Sequence, residues 1–231
     1  MSARVDLAPP WLTFHLGARM QVLGWCVNSP GFVLADRILW REVRNADLPA
    51  DLDVRAWLGA ELAARDAAGV PCMLTSRRLD TYVVARARAG GAGAMAVVTV
   101  GLSNAERVGH RMDRSDRDWD REPGACAGAP LGTVNVGVRL DAGLSQTGLL
   151  EALSIATEAR TAAIMDADIR LPVGRATGTG TDCIAIAAPA GTQDYAGLHT
   201  DAGAALGRAV HDAVLRGARD WQATVGRLSD G

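Results

Sequence analysis

The stretch from Val173 to Ala188, VGRATGTGTDCIAIAA, limits the fold more than any other part of this sequence. Cys183–Ala188 is an unbroken apolar run of strand length, ended by Pro189 and Gly191, and such a run reads as a buried strand. A polar loop leads straight into it. Gly174, Gly178 and Gly180 let that loop take positive φ or admit a close neighbour, and Thr177, Thr179 and Thr181 alternate with them to offer hydroxyls. Asp182 then places a carboxylate where the loop enters a core strand, and a carboxylate there needs hydrogen-bond partners. The plain reading is a tight turn in which Asp182 satisfies backbone donors; the functional reading is a catalytic loop.

A chain of 231 residues is long enough for a full core and reads as a single domain, 1–231. The net charge of −2 gives no electrostatic footprint for nucleic acid. No apolar run reaches membrane-spanning length, and MSARVDLAPP lacks the pattern of a signal peptide, so the expectation is a cytoplasmic protein. Cys26, Cys72, Cys126 and Cys183 are far apart without a CxxC pair, which favours buried thiols over zinc ligands or disulfides. Every basic residue is arginine; the absence of lysine removes Schiff-base chemistry and the P-loop lysine.

Trp11–Leu16 and Met20–Val27 read as two strands separated by a turn at Gly17-Ala18-Arg19, and a third strand is expected within Phe32–Asn45. Asp53 reads as an N-cap, with a helix to about Ala68 and a left-handed C-cap at Gly69. Strands follow at Val70–Ser76, Thr81–Arg88 and Ala94–Leu102. The Gly90–Gly93 patch precedes a strand, which is the wrong place for a dinucleotide-binding loop. Ser103–Pro130 is the longest irregular stretch and holds Asn104, Glu106, His110 and Trp119.

Leu131–Leu140 alternates, with Val134, Val136 and Val138 toward a core and Thr133 and Asn135 toward solvent or a cleft. Ser145 caps a helix to about Ile169 and Thr200 caps the last helix, where Gly203 and Gly207 would allow close approach to a sheet. The succession of strands with few helical crossovers predicts an α+β fold, a largely antiparallel sheet with helices packed on one face.

Asp182 is the first candidate for a general base, or for the group that orients one. Glu158, which has no basic residue three or four positions away, and His199, held neutral before a helix N-terminus, are the alternatives. Backbone N–H groups around Gly178 and Gly180, with Asn104 or Asn135, are candidate donors to an oxyanion. A metal held by Asp182, His199 and Glu158 gains no support from their spacing.

Five segments, GLSNA (101–105), GTVNV (132–136), ATEAR (156–160), ATGTGTD (176–182) and YAGLHTDAG (195–203), together resemble the adenosylcobinamide amidohydrolases of corrinoid salvage. The resemblance covers most of the chain from about residue 70 onward, and GTGTD is its most specific piece. Arg160 departs from the family pattern, where lysine is expected, and reads as a neutral change on a helix surface. The resemblance implies hydrolysis of the amide joining a corrin propionate to aminopropanol, giving adenosylcobyric acid without ATP. The corrinoid is the substrate, so no resident cofactor or metal is expected; homo-oligomerisation is left open.

Under this reading Asp182, Glu158, His199 and Thr181 are the catalytic candidates. Asn104, Thr133, Asn135, Thr177, Gly178, Thr179 and Gly180 are the substrate-binding candidates. Water is the preferred nucleophile. Thr133, Thr179 and Thr181 each follow glycine, so an N-terminal threonine made by self-cleavage is the second route. An amidase of another substrate and a non-catalytic corrinoid-binding protein are the competing functions.

Overall fold

Three N-terminal strands, β1 (Arg4–Ala8), β2 (Trp11–Cys26) and β3 (Ser29–Glu42), set the frame. The computed structural model describes residues 2–44, 47–49, 51–110, 112 and 132–225. Cys126 and Trp119 lie outside them. Where the sequence predicts two strands broken at Gly17, there is one. The pairing of β2 with β3 shifts register between His15 and Met20, and Gly17 has a φ of 84°. Glycine here supplies an irregularity that bends the hairpin without ending it.

The chain continues through α1 (Val54–Ala63), β4 (Cys72–Thr75), β5 (Val83–Ala89), β6 (Ala92–Val100), β7 (Ala105–Glu106) and β8 (Val134–Leu140). It ends with α2 (Gln146–Asp166), β9 (Arg170–Leu171), β10 (Gly174–Arg175), β11 (Gly178–Thr179), β12 (Cys183–Ala188) and α3 (Asp201–Thr224). All three expected caps form: Asp53, Ser145 and Thr200 accept hydrogen bonds from the N–H groups of Ala56, Gly148 and Gly203. Helix α1 stops at Ala63 rather than Ala68, because Asp66 already turns left-handed, with φ 52°.

The main sheet runs β4-β3-β2-β12-β8-β6-β5, with β1 also on β2. It is antiparallel except for the β3/β4 and β8/β12 pairs. The fold is α+β. One face carries α2 and α3, whose Leu149, Ala156, Ile164, Leu206, Val210 and Val214 meet Val134, Val136 and Val138.

The other face does not meet solvent. The bent β2–β3 hairpin folds back across it, so that Leu12, Phe14, Ile38 and Trp40 pack with Met95, Val97, Ala185 and Ala187. Cβ atoms are excluded at Gly137, where one would lie 2.5 Å from Trp40 Cη2. A fully buried Trp removes roughly 200 Å² from water, worth about 5 kcal/mol before entropic costs. Helix α1 covers the outside of this second layer through Leu58 and Leu62 against Trp11 and Leu39. Helices therefore lie on both outer faces, not one.

The close approach expected of Gly203 and Gly207 also lands elsewhere. Gly203 abuts the Gly197 carbonyl and Gly207 faces Ile155; Gly217 is the α3 glycine against the sheet, at Val100.

Strand direction decides where the loops meet. Strand β6 ends beside the start of β8 (Val100 opposite Val134), and β12 starts beside β8 (Cys183 opposite Asn135). Residues 101–104, 132–133 and 179–182 consequently converge at one end of the sheet. The short β7/β11 pair, Ala105 with Thr179 and Glu106 with Gly178, fastens the first of these loops to the last.

Candidate active site

Asp182 lies at the centre of the converging loops, with its side chain 6% exposed. Oδ1 accepts from the Val134 N–H at 3.0 Å and from the Thr179 hydroxyl. Oδ2 accepts from the Thr179 N–H at 3.0 Å and from Arg160 Nη1 at 2.6 Å. The same Arg160 nitrogen donates to the Thr177 carbonyl at 3.0 Å. Burial pushes the Asp182 carboxyl above the usual carboxylate range, while Arg160, Thr179 and the Val134 N–H pull against it. Each carboxylate oxygen thus already holds two protein donors.

This geometry explains part of the GTGTD pattern. A Cβ at position 178 would lie 1.8 Å from Arg160 Nη1 and 2.5 Å from Asp182 Oδ2, so only glycine lets the pair form. Gly180, by contrast, faces open space. Thr177 is a fastener: its hydroxyl accepts from the Val108 N–H at 2.8 Å and its own N–H donates to the Glu106 carbonyl at 2.8 Å.

Beside the carboxylate is a cluster of neutral polar groups. Thr181 Oγ1 lies 2.7 Å from Thr133 Oγ1, 3.0 Å from the Gly132 carbonyl oxygen and 3.4 Å from Asn104 Nδ2. Asn104 is buried, and its Oδ1 has no hydrogen-bond partner. Asn135 is wholly buried between the two layers, where its Nδ2 donates to the Leu74 carbonyl at 2.7 Å and its Oδ1 has no partner. The polar pair Thr133 and Asn135 therefore looks into the interior of the fold rather than into solvent.

A cavity of about 280 Å³ opens onto this cluster. Trp25, Val43 and Leu74 form apolar wall, and Thr133, Asn135, Thr181 and Asp182 form its polar end. The Trp25 indole N–H donates to the Asp182 carbonyl at 2.7 Å and so holds the wall against the loop.

Asp182, Thr181, Thr179, Thr177, Gly178, Thr133, Asn104 and Asn135 are brought together. Glu158 and His199 are not. Glu158 is exposed on α2, with Ser154 Oγ at 3.5 Å. His199 is exposed beside the α3 cap, and Asp201 there accepts from the Gly91 N–H, next to the start of β6. The nine residues of β6 separate that end from the cluster, about 26 Å at about 3.3 Å per residue. Among the described residues no three His, Cys, Asp or Glu side chains converge to hold a metal ion.

Arg160 is a correction to the sequence reading. It is not a free helix-surface residue but the largely buried partner of Asp182, with a side chain 13% exposed. The signal was present: Arg160 falls four residues after Ala156 and four before Ile164, on the apolar stripe of α2. Trp25 carried no comparable signal, because nothing local shows that β2 pairs with β12.

The chain is 30% identical over 156 residues to uncharacterized protein MJ1613 of Methanocaldococcus jannaschii, an alignment that spans 63% of this chain and 61% of that one. Among solved structures, a Burkholderia sp. beta-aminopeptidase superposes with a TM-score of 0.47 at 14% identity, over 90% of this chain and 78% of that one. The PH0078 protein of Pyrococcus horikoshii gives 0.43 at 10% identity, over 92% and 80%. The family model described as adenosylcobinamide amidohydrolase matches residues 2–226, and the chain belongs to that family.

Proposed function

We propose that the protein hydrolyses the secondary amide of adenosylcobinamide, releasing aminopropanol and adenosylcobyric acid, which re-enters cobalamin synthesis. The observation that carries this reading, beside family membership, is the set of neutral hydroxyl and amide groups at the end of a mostly apolar cavity. Amide hydrolysis needs an oxygen nucleophile, donors where charge develops on the carbonyl oxygen, and a proton for the leaving amine. Thr133 and Thr181 supply hydroxyls and Asn104 an N–H donor, with Thr133 Oγ1 and Asn104 Nδ2 lying 2.7 and 3.4 Å from Thr181 Oγ1. Loss of one oxyanion donor costs about 3–4 kcal/mol of barrier.

Asp182 is a positioning residue in this scheme. With both oxygens occupied it acts through Thr179 and Arg160 to fix the 177–182 loop. Water is the only co-substrate, cobalt enters as part of the substrate, and the reaction belongs in the cytoplasm with the rest of corrinoid assembly.

The test is incubation of purified protein with adenosylcobinamide in the absence of nucleotide, followed by mass analysis of the corrinoid. Formation of adenosylcobyric acid, undiminished by a metal chelator, supports the reading. Tight binding without conversion would replace the enzyme with a corrinoid-binding protein, and neither binding nor conversion would remove the substrate.

A further inference from the structure

Three Gly–Thr peptide bonds lie in the site: Gly132–Thr133, Gly178–Thr179 and Gly180–Thr181. A count of protons and lone pairs separates them. A hydroxyl has one proton to give and two lone pairs to accept with. The Thr179 proton goes to Asp182. Thr181 donates to the Gly132 carbonyl oxygen at 3.0 Å, which leaves it to accept from Thr133 Oγ1 and Asn104 Nδ2. Thr181 is then saturated. Thr133 gives its proton to Thr181, and among the described residues no donor reaches its own oxygen. Thr133 lines the cavity, and no described donor occupies either lone pair of its Oγ1.

A second group of observations concerns the bond just before Thr133. The Gly132 carbonyl is the one polarised by the Thr181 hydroxyl. Gly132 is clamped on three sides: a Cβ there would meet the Ser103 nitrogen at 2.5 Å, Asn104 Oδ1 at 2.8 Å and the Gly101 oxygen at 2.9 Å. Asn104 Oδ1, buried and without a donor, therefore lies against this junction. Among the described residues no carboxylate or imidazole is hydrogen-bonded to Thr133 or Thr181, so the hydroxyl pair lacks a base.

From these observations, and resting on the amide-hydrolase reading above, we infer that Thr133 is the nucleophile and that the chain arms it by cutting itself at Gly132–Thr133. Thr133 Oγ attacks the Gly132 carbonyl carbon while the Thr181 O–H holds the developing oxyanion. The C–N bond breaks as the hydroxyl proton passes to nitrogen, leaving an ester between Gly132 and Thr133 Oγ. One water hydrolyses the ester to a Gly132 carboxylate and a free Thr133 hydroxyl. The new α-amine, with an ordinary pKa of about 7.7–8.0, is the base the site lacked, and Asn104 Oδ1 accepts from it.

In turnover that amine takes the Oγ proton as Oγ attacks the substrate carbonyl carbon. The proton leaves with aminopropanol, and a water hydrolyses the resulting ester.

The test is the intact mass of freshly purified protein, measured before any substrate is added. The expected result is two chains, 1–132 and 133–231, together one water heavier than the encoded sequence and co-eluting under native conditions. Thr133→Ala should stay whole and lose turnover by at least about 10²-fold with an unchanged circular dichroism spectrum. Thr133→Ser should be cut and active, and Thr181→Ala should be cut more slowly. A single uncut chain that turns over, a cut at either other Gly–Thr bond, or undiminished turnover by Thr133→Ala would overturn the inference. The mass readout needs no corrinoid, so a cut chain inert toward adenosylcobinamide supports the nucleophile and refutes only the substrate.

Discussion

Asp182→Asn keeps the shape of the carboxylate and removes its charge, so it tests the Arg160 pair together with the other donors the carboxylate accepts from. The two side chains are 6% and 13% exposed and meet at 2.6 Å, which places them among buried pairs rather than surface ones. Neither orientation of the new amide fits. One turns its NH₂ toward Arg160 Nη1 and the Thr179 N–H, the other toward the Val134 N–H and the Thr179 hydroxyl. Breaking a buried pair from one side costs about 3–5 kcal/mol, because the remaining charge stays buried without a partner. For a chain of this size each kcal/mol lowers the melting temperature by about 2–4 °C, which gives a drop of roughly 6–20 °C.

The assay is urea unfolding of wild type and variant with the slope compared as well as the midpoint, since an unchanged slope assigns the loss to the native state. Gly178→Ala reaches the same state from the other side, because its methyl group would occupy the place of Arg160 Nη1. The joint change Asp182→Asn, Arg160→Met should recover much of the single-variant loss. A loss below about 1 kcal/mol for Asp182→Asn would mean that the pair behaves as a solvated surface ion pair, and the reasoning from burial would fail.

Other expectations follow from single contacts. Gly137→Ala should destabilise by about 1–3 kcal/mol because its methyl group meets the Trp40 ring, and Trp40→Phe in the same chain should cost less than the sum of the two; additivity would show the ring does not lie there. Trp25→Phe removes the N–H donated to the Asp182 carbonyl and should cost about 0.5–1.5 kcal/mol in urea unfolding; no change in midpoint would place this hydrogen bond outside the energetics of the loop. Burial raises the Cys72 thiol, and a hydrogen bond to Cys26 together with burial raises that of Cys183, so both stay protonated at neutral pH. Iodoacetamide at pH 8 should leave Cys26, Cys72 and Cys183 unmodified by peptide mapping until guanidinium is added; rapid native labelling of Cys183 would contradict its burial.

The elements that were legible in the sequence are those specified locally. Asp53, Ser145 and Thr200 announce their helices because each cap is made within three residues. The run 183–188 announces a core strand because burial on both faces leaves no polar position, and the valines at 134, 136 and 138 announce another because their alternation marks one core-facing side. What was not legible depends on distant partners. Gly17 reads as a turn because positive φ is common in turns, and only the pairing with β3 shows a bend inside one strand. Asn135 reads as solvent-facing or cleft-lining because alternation gives a face without saying what covers it, and here a folded-back hairpin does.

The same limit applies to the site. GTGTD marks Asp182, Thr181 and the glycine that admits Arg160. The separation of His199 from that cluster follows from strand direction, which no single segment encodes, whereas Glu158 is separated because it lies on the exposed face of α2, two residues from Arg160. Arg160 shows the intermediate case, since its place on the α2 stripe was readable and its partner was not.

The strand order also sets a timetable for synthesis. Strand β12 pairs with β2, and the hydrogen bond from Trp25 to Asp182 joins residues 157 positions apart. At about 5–20 residues per second the ribosome needs roughly 8–30 s between making one and making the other. Throughout that interval the Gln21–Gly24 stretch of β2 lacks its β12 partner, and that open edge is where premature association would begin. The delay has a protective side. Thr181, whose hydroxyl polarises the Gly132 carbonyl, is encoded 49 residues after it, so the growing chain lacks its own cutting geometry until the sheet around it can close.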